Sequence, residues 1–308
     1  MTWDPRALPR QDGRTIVVTG GSTGIGYWAS EQLAATGARV VIAARHAAKA
    51  AEAIASIRSR VPDAEVVHVP LDLGSLVAVR DAAETIAAFG GVDVLINNAG
   101  LVVPSRRRKT TSDGLELVVG GNFVGHFALT AHVFPMLRDR VVGLGSLSTK
   151  MVRPDLDDLL STRRYGPFRA YAFSKHAVHG FAFELDRRLR AVGDPRLSVL
   201  AHPGYAVNAL AEHRPGVSSN SSWWQRRGGA LTAPVGQGKD SGAWPVVRAA
   251  LDPRAESGWF YGPGRMLHLR GEPVVHAPAV SSASPEFGER LWALAEEWSG
   301  VRFDLPRA

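Results

Sequence analysis

Short, continuous runs of apolar, mostly β-branched residues alternate with helix-like stretches as far as Ala201. Because these runs are not interrupted by polar residues at every second position, they predict strands that are buried on both faces. Strand–helix alternation repeated this often predicts a doubly wound parallel sheet with helices on both faces, in three α/β/α layers. The predicted strands are Thr15–Thr19, Arg39–Ala43, Glu65–Val69, Val92–Ile96, Arg140–Leu144 and Leu197–Ala201.

Helix-like patterns lie between these strands and near the end of the chain. After Pro203-Gly204, residues 205–243 are rich in Gly, Ser, Pro and Trp and have no steady period. A long irregular segment inside a compact protein is most often a lid or a binding loop, so we expect this one to cover a substrate pocket. Trp259–Tyr261 is a candidate last strand, and no polar linker divides residues 1–308, which predicts a single domain. The predicted helices are Gly24–Ala35, His46–Arg60, Ser75–Ala88, Ser112–Leu137, Phe168–Ala191 and Pro285–Trp298.

The composition is that of an ordinary soluble globular protein, with 45% hydrophobic and 21% charged residues. The absence of cysteine excludes disulfides and thiolate metal sites. The net charge is +7, but the only dense basic run, Arg106–Lys109, is short, and nothing resembles a nucleic-acid-binding motif. No stretch approaches the roughly 20 apolar residues of a membrane span. We therefore expect a cytoplasmic protein without a membrane span or a nucleic-acid partner.

A glycine-rich turn, Thr19–Gly26, lies between the first predicted strand and the first helix. Its glycines Gly20, Gly24 and Gly26 allow a tight turn, let the backbone approach a pyrophosphate and let the helix pack against the sheet. The N–H groups and the dipole of the helix N-terminus then favour the phosphate charge. The turn predicts a dinucleotide site, although its spacing departs from the general G-x-G-x-x-G pattern.

Two other interpretations of this turn stay open. Gly20–Gly24 also fits G-x-S-x-G, the nucleophile elbow of serine hydrolases, which is likewise a strand–turn–helix. That elbow needs an oxyanion loop upstream, whereas only a short arm and one strand precede Ser22. The other alternative is a purely structural turn, which would need fewer glycines.

The end of the second predicted strand indicates which dinucleotide is bound. NAD-binding folds place an Asp or Glu there to hold the ribose hydroxyls. This chain has Ala43-Ala44-Arg45-His46 instead, with Arg45 19 positions after Gly26. A guanidinium suits a 2′-phosphate through paired charged hydrogen bonds, which are worth about 1.5–3 kcal/mol. We expect NADP(H) rather than NAD(H), preferred roughly ten- to a hundredfold; the alternative is a surface arginine at a helix start.

Tyr171 and Lys175 lie four positions apart in a strongly helical stretch and therefore share one face. Ser146 follows one predicted strand, Pro203-Gly204 follows the next, and Asn122 lies in the preceding long helix. Because the carboxyl ends of parallel strands share one edge, where ligands bind in open α/β folds, we expect these residues near the glycine-rich turn. Each alone has a structural explanation, but together they predict an oxidoreductase site.

These four side chains, Asn122, Ser146, Tyr171 and Lys175, suit a reaction in which a proton transfer accompanies a hydride transfer. The pKa of a phenol, near 10, is too high for efficient proton transfer at neutral pH, and an adjacent ammonium should lower it. We expect Tyr171 to be the general acid in carbonyl reduction and the base in alcohol oxidation. Ser146 would donate a hydrogen bond to the carbonyl oxygen, while Lys175 would lower the Tyr171 pKa and hold ribose hydroxyls. Asn122 would anchor a water that relays protons from Lys175 to solvent.

These residues resemble the pattern of the short-chain dehydrogenase/reductase family over nearly the whole chain. Finer features resemble its branch of retinol dehydrogenases and protochlorophyllide reductases: Glu184–Leu189, Gly262-Pro263, and an insert with Asp155–Leu159 in the 25 positions from Ser146 to Tyr171. The resemblance implies a Rossmann-type fold and an NAD(P)-dependent enzyme acting on an alcohol or a carbonyl. The matching segments are Thr19–Gly26, Leu71–Leu73, Asn97–Gly100, Asn122, Ser146, Tyr171–Lys175 and His202–Gly204.

The resemblance also implies which residues hold the cofactor. Asp72 would lie beside the adenine, and Asn98 would support the cofactor pocket. Several positions depart from the family: Asn208 replaces a threonine that usually reaches the carboxamide, Gly145 replaces a serine, and Gly21 and Ser22 vary the phosphate loop. The residues expected to bind NADP(H) are Gly20, Ser22, Thr23, Gly24, Ile25, Gly26, Arg45, Asp72, Leu73, Asn98, Ala99, Gly100, Tyr171, Lys175, Pro203, Gly204 and Asn208. No metal site is expected, because His176 and His179 lack a third ligand at matching spacing.

Two other functions stay open, namely an NADP(H)-binding sensor or scaffold without chemistry and reduction of an activated C=C bond. Sensors of this kind usually lack the tyrosine or the lysine, and both are present here. Trp223-Trp224 in the predicted lid favour a lipophilic ketone, aldehyde or secondary alcohol as substrate, whereas Arg106–Lys109 would favour an acidic group. Whether the chain forms a homodimer is also open, because the insert before Tyr171 would obstruct the interface at which helices of two such chains usually pair.

Overall fold

The computed structural model describes residues 3–4, 7–102, 105–217, 234–278 and 280–305. The apolar runs form strands at the predicted places, with most bounds within one residue. Among the strands predicted up to Ala201, the largest difference is the fifth, which begins at Leu137 rather than at Arg140. In chain order the strands are β1 (Thr15–Thr19), β2 (Arg39–Ala44), β3 (Val66–Pro70), β4 (Val92–Asn97), β5 (Leu137–Leu144), β6 (Leu197–Ala201), β7 (Ala206–Val207), β8 (Gln237–Gly238), β9 (Phe260–Arg265) and β10 (Arg270–His276).

All the described strands except β7 and β8 form one eight-stranded sheet in the order β10-β9-β6-β5-β4-β1-β2-β3. Neighbouring strands are parallel, except that β10 runs antiparallel to β9. The chain proceeds outward from β1 to β3 and then returns to β4 on the other side of β1. The predicted doubly wound, Rossmann-type sheet is therefore confirmed, and its switch point is where ligands bind in such folds.

Helices cover both faces of the sheet and complete the three layers. Side chains alternate along each strand, so Ile16 and Val18 of β1 join one core with Tyr27, while Val17 joins the opposite core with Phe127. In chain order the helices are α1 (Gly24–Ala34), α2 (Ala47–Arg60), α3 (Leu76–Ala87), α4 (Leu117–Met136), α5 (Pro167–Val192), α6 (Lys239–Gly242), α7 (Trp244–Leu251), α8 (Val280–Ala283) and α9 (Pro285–Ser299).

The helix α4 begins later than the predicted Ser112. The residues before it form a turn closed by a bridge between Thr110 and Glu116. The Glu116 carboxylate accepts the N–H groups of Val118 and Val119, as a helix cap does. The helix then widens into a π turn at Gly120–Val124, a departure from α-helical geometry that often accompanies a functional position.

The same helix corrects the expectation that no stretch approaches the composition of a membrane span. It is 20 residues long and apolar enough to cross a membrane, with a mean hydropathy of 1.4 in its most apolar stretch. However, 83% of its most apolar stretch is buried inside the fold. Phe123 and Phe127 pack there against Phe181 of α5, and Phe127 also packs against Trp292 of α9. The apolar composition of α4 is thus explained by its place in the core.

The region after Pro203-Gly204 is more regular than predicted. Residues Trp244–Leu251 form α7, and β9 continues past Tyr261 into a hairpin with β10. Within the predicted lid, β7 pairs with β8, and the Gln237 side chain donates to the Pro203 carbonyl oxygen. Residues 218–233, which include Trp223 and Trp224, lie outside the described residues, so the lid stays a prediction.

Candidate active site

A cleft of about 590 Å³ opens at the carboxyl edge of the sheet, and this volume is usual for a small-molecule site. The structure brings most of the predicted site residues into its walls. Ser146, Gly204 and Asn208 are not among them. The predicted residues that line the cleft are Gly20, Ser22, Thr23, Gly24, Ile25, Gly26, Arg45, Asp72, Leu73, Asn98, Ala99, Gly100, Asn122, Tyr171, Lys175 and Pro203.

The glycine-rich turn forms one end of the cleft, which we call the phosphate end. Gly20 and Gly24 have positive φ angles of 65° and 59°, and a Cβ on Gly26 would lie 2.4 Å from the Gly20 carbonyl oxygen. The Thr23 side chain does not cap α1, and the first turn of α1 holds no acidic residue. The N–H groups and the positive dipole end of α1 are therefore left for an anionic ligand.

Basic residues gather where β2 ends. Arg45 is exposed, and its guanidinium donates to the His46 ring over 3.3 Å. Lys49, one turn further along, lines the same wall, and the first turn of α2 holds no acidic residue. After β3, the Asp72 carboxylate accepts the Gly74 N–H over 2.9 Å, which fixes that turn. The end of β2 can thus hold a phosphate but offers no carboxylate to ribose hydroxyls.

Asn98 joins the glycine-rich turn to the turn after β4. Its Nδ2 donates to the Thr19 carbonyl oxygen over 2.8 Å, and the Thr19 hydroxyl accepts the Ala99 N–H over 2.9 Å. The Asn98 Oδ1 atom is buried and has no partner among the described residues. Because buried polar atoms normally find a partner, this acceptor fits a donor on a bound ligand.

Asn122 fixes the loop after β4 against α4. Its Oδ1 accepts the Leu101 N–H over 2.7 Å, and its Nδ2 donates to the Leu101 carbonyl oxygen and to the Ser174 hydroxyl. In the π turn, its main-chain carbonyl accepts from His126 Nδ1 over 2.9 Å. These contacts bring Asn122 and Lys175 to one wall of the cleft. Its role in anchoring a water stays a prediction.

Tyr171, Lys175 and Ser146 meet at the other end, which we call the reacting end. The Lys175 ammonium donates to the Leu144 carbonyl oxygen over 2.7 Å and lies 5.8 Å from the centre of the Tyr171 ring. The Ser146 hydroxyl hydrogen-bonds the phenol of Tyr171 and accepts the Ser148 N–H over 3.1 Å. Ser146 does not line the cleft itself, but it contacts the Tyr171 phenol, which does.

Burial is the main influence on the pKa values of Tyr171 and Lys175. Burial raises the pKa of Tyr171 above its ordinary value, and the hydrogen bond from Ser146 only partly opposes this rise. Burial also lowers the pKa of Lys175 to about 8. In the protein alone desolvation therefore dominates the pKa of Tyr171, and the lowering of that pKa by Lys175 stays a prediction. At neutral pH the phenol is protonated and Lys175 is still charged.

Gly204 and Asn208 lie away from the walls of the cleft. Gly204 has a φ of 66° and packs so closely on the β9–β10 hairpin that a Cβ would lie 2.3 Å from the Leu269 carbonyl oxygen. Asn208 begins a short turn, Asn208–Leu210, and its side chain is exposed. The contact from Asn208 to a carboxamide is left as a prediction.

Lys239, the first residue of α6, lines the cleft and was missed by the sequence analysis. Its ammonium lies over the start of α1, 3.4 Å from where a Cβ on Gly24 would be. Burial lowers the pKa of Lys239, and no acidic side chain of the described residues compensates its charge. A partly buried cation at the positive end of a helix is unfavourable by itself, so this arrangement indicates an anionic ligand.

The chain is similar to known dehydrogenases along most of its length. A family model described as short chain dehydrogenase matches residues 14–157. Polyprenol dehydrogenase of Mus musculus is 37% identical over 298 residues, which cover 94% of this chain and 84% of that protein. Retinol dehydrogenase 12 of Homo sapiens is 35% identical over 299 residues, which cover 95% of this chain and 88% of that protein.

Solved structures agree with these matches. An uncharacterized protein from Mycobacterium paratuberculosis is similar with a TM-score of 0.81 at 33% identity, over 99% of this chain and 100% of that one. A short chain dehydrogenase from Burkholderia cenocepacia, solved in complex with NADP, is similar with a TM-score of 0.61 at 25% identity, over 81% of this chain and 95% of that one. The sheet order, the cleft and the long matches to named dehydrogenases together establish that the chain belongs to the short-chain dehydrogenase/reductase family of oxidoreductases.

Proposed function

We propose that the chain is an NADP(H)-dependent enzyme that reduces a carbonyl, or oxidises a secondary alcohol, of a lipophilic small molecule. The observation that carries this proposal is that the glycine-rich turn and the Tyr171–Lys175 pair line one continuous cleft. A dinucleotide held at the phosphate end and a substrate oxygen held at the reacting end would therefore share one cavity.

The phosphate end fits a dinucleotide cofactor. The N-terminus of α1 has no side-chain cap and no acidic residue, and the buried Oδ1 of Asn98 has no partner among the described residues. Lys239 adds a positive charge at the same place. At the far end of this site Arg45 and Lys49 favour a 2′-phosphate, and hence NADP(H) over NAD(H). One similar enzyme was solved with NADP, which supports the same choice here.

The reacting end fits proton transfer to a carbonyl oxygen. When bound, the cofactor supplies the hydride for reduction or accepts it in oxidation. The Ser146 hydroxyl already accepts the Ser148 N–H, so its own proton is available to orient the substrate oxygen. The Tyr171 phenol is protonated at neutral pH and gives its proton to that oxygen.

Lys175 would support the phenolate that remains after this transfer. Its pKa of about 8 leaves it charged at neutral pH, and its ammonium lies beside the phenol ring. In the direction of oxidation the phenol must first lose its proton, so we expect alcohol oxidation to become faster as the pH rises. Asn122, which stands on the same wall as Lys175, is proposed to anchor the water that returns protons to this pair.

A lipophilic substrate is supported by the lining of the cleft and by the relatives. Leu101, Val102 and Leu117 present apolar side chains to the cleft that also holds Tyr171. By name, the similar enzymes act on polyprenols and on retinol, both of which are lipophilic alcohols. We therefore propose long-chain or cyclic apolar alcohols and their carbonyl compounds as the substrate class.

Turnover with each cofactor tests this function. Consumption of NADPH and of NADH is followed with a panel of polyprenal, retinal and small ketones, and the reverse reaction with the matching alcohols. We expect turnover of the lipophilic members, with NADPH preferred roughly tenfold or more, and Arg45→Ala should reduce that preference by about tenfold. Equal use of NADH by the unaltered protein would contradict the cofactor proposal.

The same assay separates the alternatives. A sensor or scaffold would bind NADPH without turnover of any member of the panel. A reductase of an activated C=C bond would consume NADPH with an enone and leave the carbonyl intact, which NMR of the product reveals. The presence of Tyr171 and Lys175 in the same cleft favours an enzyme over a sensor. A cytoplasmic location and a homodimer stay predictions. Cell fractionation would test the first, and light scattering would test the second.

A further inference from the structure

His179 lies two helical turns after Tyr171 on α5, and its ring is completely buried. Its Nε2 atom accepts the main-chain N–H of Ser146 over 3.2 Å. An N–H can be accepted only by an unprotonated ring nitrogen, so the proton of this imidazole is on Nδ1, which is buried and has no partner among the described residues. The environment agrees, because burial and the neighbouring positive charge lower the pKa of His179 well below its usual range. His179 is thus a neutral acceptor beneath the reacting end.

The Ser146 amide needs this acceptor because the sheet has ended. The pairing of β5 with β4 stops at Gly143, and the pairing with β6 is continued only by the Gly145 N–H, which donates to the Ala201 carbonyl oxygen. The next amide in the chain therefore lies beyond both ladders. A main-chain N–H in the protein interior is costly to leave unpaired, and His179 satisfies it from the neighbouring helix.

The hydrogen bonds around Ser146 fix almost the whole residue. Its amide donates to His179, its carbonyl oxygen accepts the Thr149 hydroxyl over 3.0 Å, and its hydroxyl oxygen accepts the Ser148 N–H over 3.1 Å. These bonds leave the hydroxyl proton for the Tyr171 phenol or for a substrate oxygen. The orientation of this proton is thus set by the main chain, and the main chain is held in part by His179.

Gly145 explains how the imidazole comes so close. A Cβ at this position would lie 2.3 Å from His179 Nε2 and 3.3 Å from the Phe260 ring. A serine here, which is usual in the family that the sequence resembles, would collide with the ring. The His179 ring can therefore reach the Ser146 amide only because position 145 is a glycine.

We propose that His179 is a positioning residue of the active site, which holds the Ser146 main chain so that the Ser146 hydroxyl meets the substrate oxygen and the Tyr171 phenol. Gly145 is the space that this contact requires. The inference rests on the proposed role of Ser146 in carbonyl reduction, and it adds a residue that does not touch the substrate.

Four variants test the proposal in the full-length protein: His179→Leu, His179→Gln, Gly145→Ala and Ser146→Ala. We expect His179→Leu to lower kcat by about tenfold to a hundredfold, the effect of a small misplacement of a reacting group, with an unchanged Kd for NADPH. Gly145→Ala should lower kcat by pushing the ring off the amide, whereas His179→Gln, which keeps an acceptor at a similar distance, should recover most of it.

A double-mutant cycle separates positioning from general damage. In the Ser146→Ala background the hydroxyl is absent, so adding His179→Leu should cause no further loss of kcat. His176→Leu is the matched control, because His176 is also buried on α5 but bonds to Val152 and Ser282 instead. It should lower thermal stability and keep the wild-type kcat.

Two results would overturn the proposal: a wild-type kcat in folded His179→Leu, or an equal loss of kcat when His179→Leu is added to Ser146→Ala. If His179→Leu does not fold, Gly145→Ala carries the same cycle, with the same two outcomes. A wild-type kcat in Ser146→Ala itself is a different failure. It would overturn the proposed role of Ser146, and this inference with it.

Discussion

The two ends of the cleft are built in different ways. At the phosphate end, the glycine-rich turn leaves main-chain N–H groups unpaired at the start of α1, and Gly20 and Gly26 lie against main-chain atoms. At the reacting end, long side chains from α5 lie buried beside the end of β5, and burial shifts the pKa of both Tyr171 and Lys175.

The two ends should therefore respond differently to substitutions and to pH. An end made mainly of closely packed main chain should be sensitive to any added atom and less sensitive to pH. An end made of buried ionisable side chains should be sensitive to pH and to loss of single polar groups, since desolvation already opposes their charged forms.

The largest effect is expected from Gly26→Ala at the phosphate end. The new Cβ would lie 2.4 Å from the Gly20 carbonyl oxygen and from Asn98 Nδ2, so the turn must move. We expect a loss of about 1–3 kcal/mol in the free energy of unfolding and NADPH binding weakened about a hundredfold, from two lost hydrogen bonds. Gly90→Ala is the control, because Gly90 has a φ of 80° but nothing within 4 Å of its Cβ. It should cost stability and leave the Kd for NADPH unchanged.

A smaller effect is expected from Lys239→Met, which tests whether the phosphate end relies on main chain alone. Removing the ammonium above the start of α1 should raise the Kd for NADPH about tenfold and weaken its dependence on salt. Lys150→Met is the control, since this exposed lysine is not a wall of the cleft. Fluorescence titration of NADPH gives both constants. An equal Kd in wild type and Lys239→Met would contradict a role of Lys239 and show that the main chain alone binds NADPH at the phosphate end.

The smallest effect concerns the pH dependence of stability at the reacting end. Burial lowers the pKa of Lys175 to about 8, below the value near 10.4 of an unfolded lysine. Between these values the unfolded state binds more protons, so the free energy of unfolding should rise with pH, by up to about 1 kcal/mol per pH unit. Below about pH 7, where Lys175 is protonated in both states, this contribution should be flat. Denaturant unfolding of wild type and Lys175→Met from pH 7 to 10 measures it, and identical slopes would contradict the assignment.

Local sequence patterns predicted the phosphate end best. The apolar strand Thr15–Thr19 and the glycines of the following turn depend on neighbours within a few residues along the chain, so their structures follow from local chemistry. The pairing of Tyr171 with Lys175 was predictable for the same reason, because four residues along a helix return to one face.

Long-range contacts decided the features that sequence reasoning missed. The contact of His179 with the Ser146 amide joins two elements whose meeting depends on the packing of α5 beside β5. Lys239 reaches the start of α1 from a segment with no steady period. The direction of the Tyr171 pKa shift also depends on burial, which the sequence positions of Tyr171 and Lys175 do not reveal.

Hydride transfer in Tyr171→Phe tests the central claim most directly, namely that a dinucleotide and a proton-donating phenol act together in one cleft. NADPH deuterated at the transferred position is mixed with an accepted lipophilic ketone, and deuterium on the carbinol carbon is followed by mass spectrometry. We expect Tyr171→Phe to bind NADPH with the wild-type Kd and to transfer deuterium at least about a hundredfold more slowly. Transfer at the wild-type rate in Tyr171→Phe would contradict this claim.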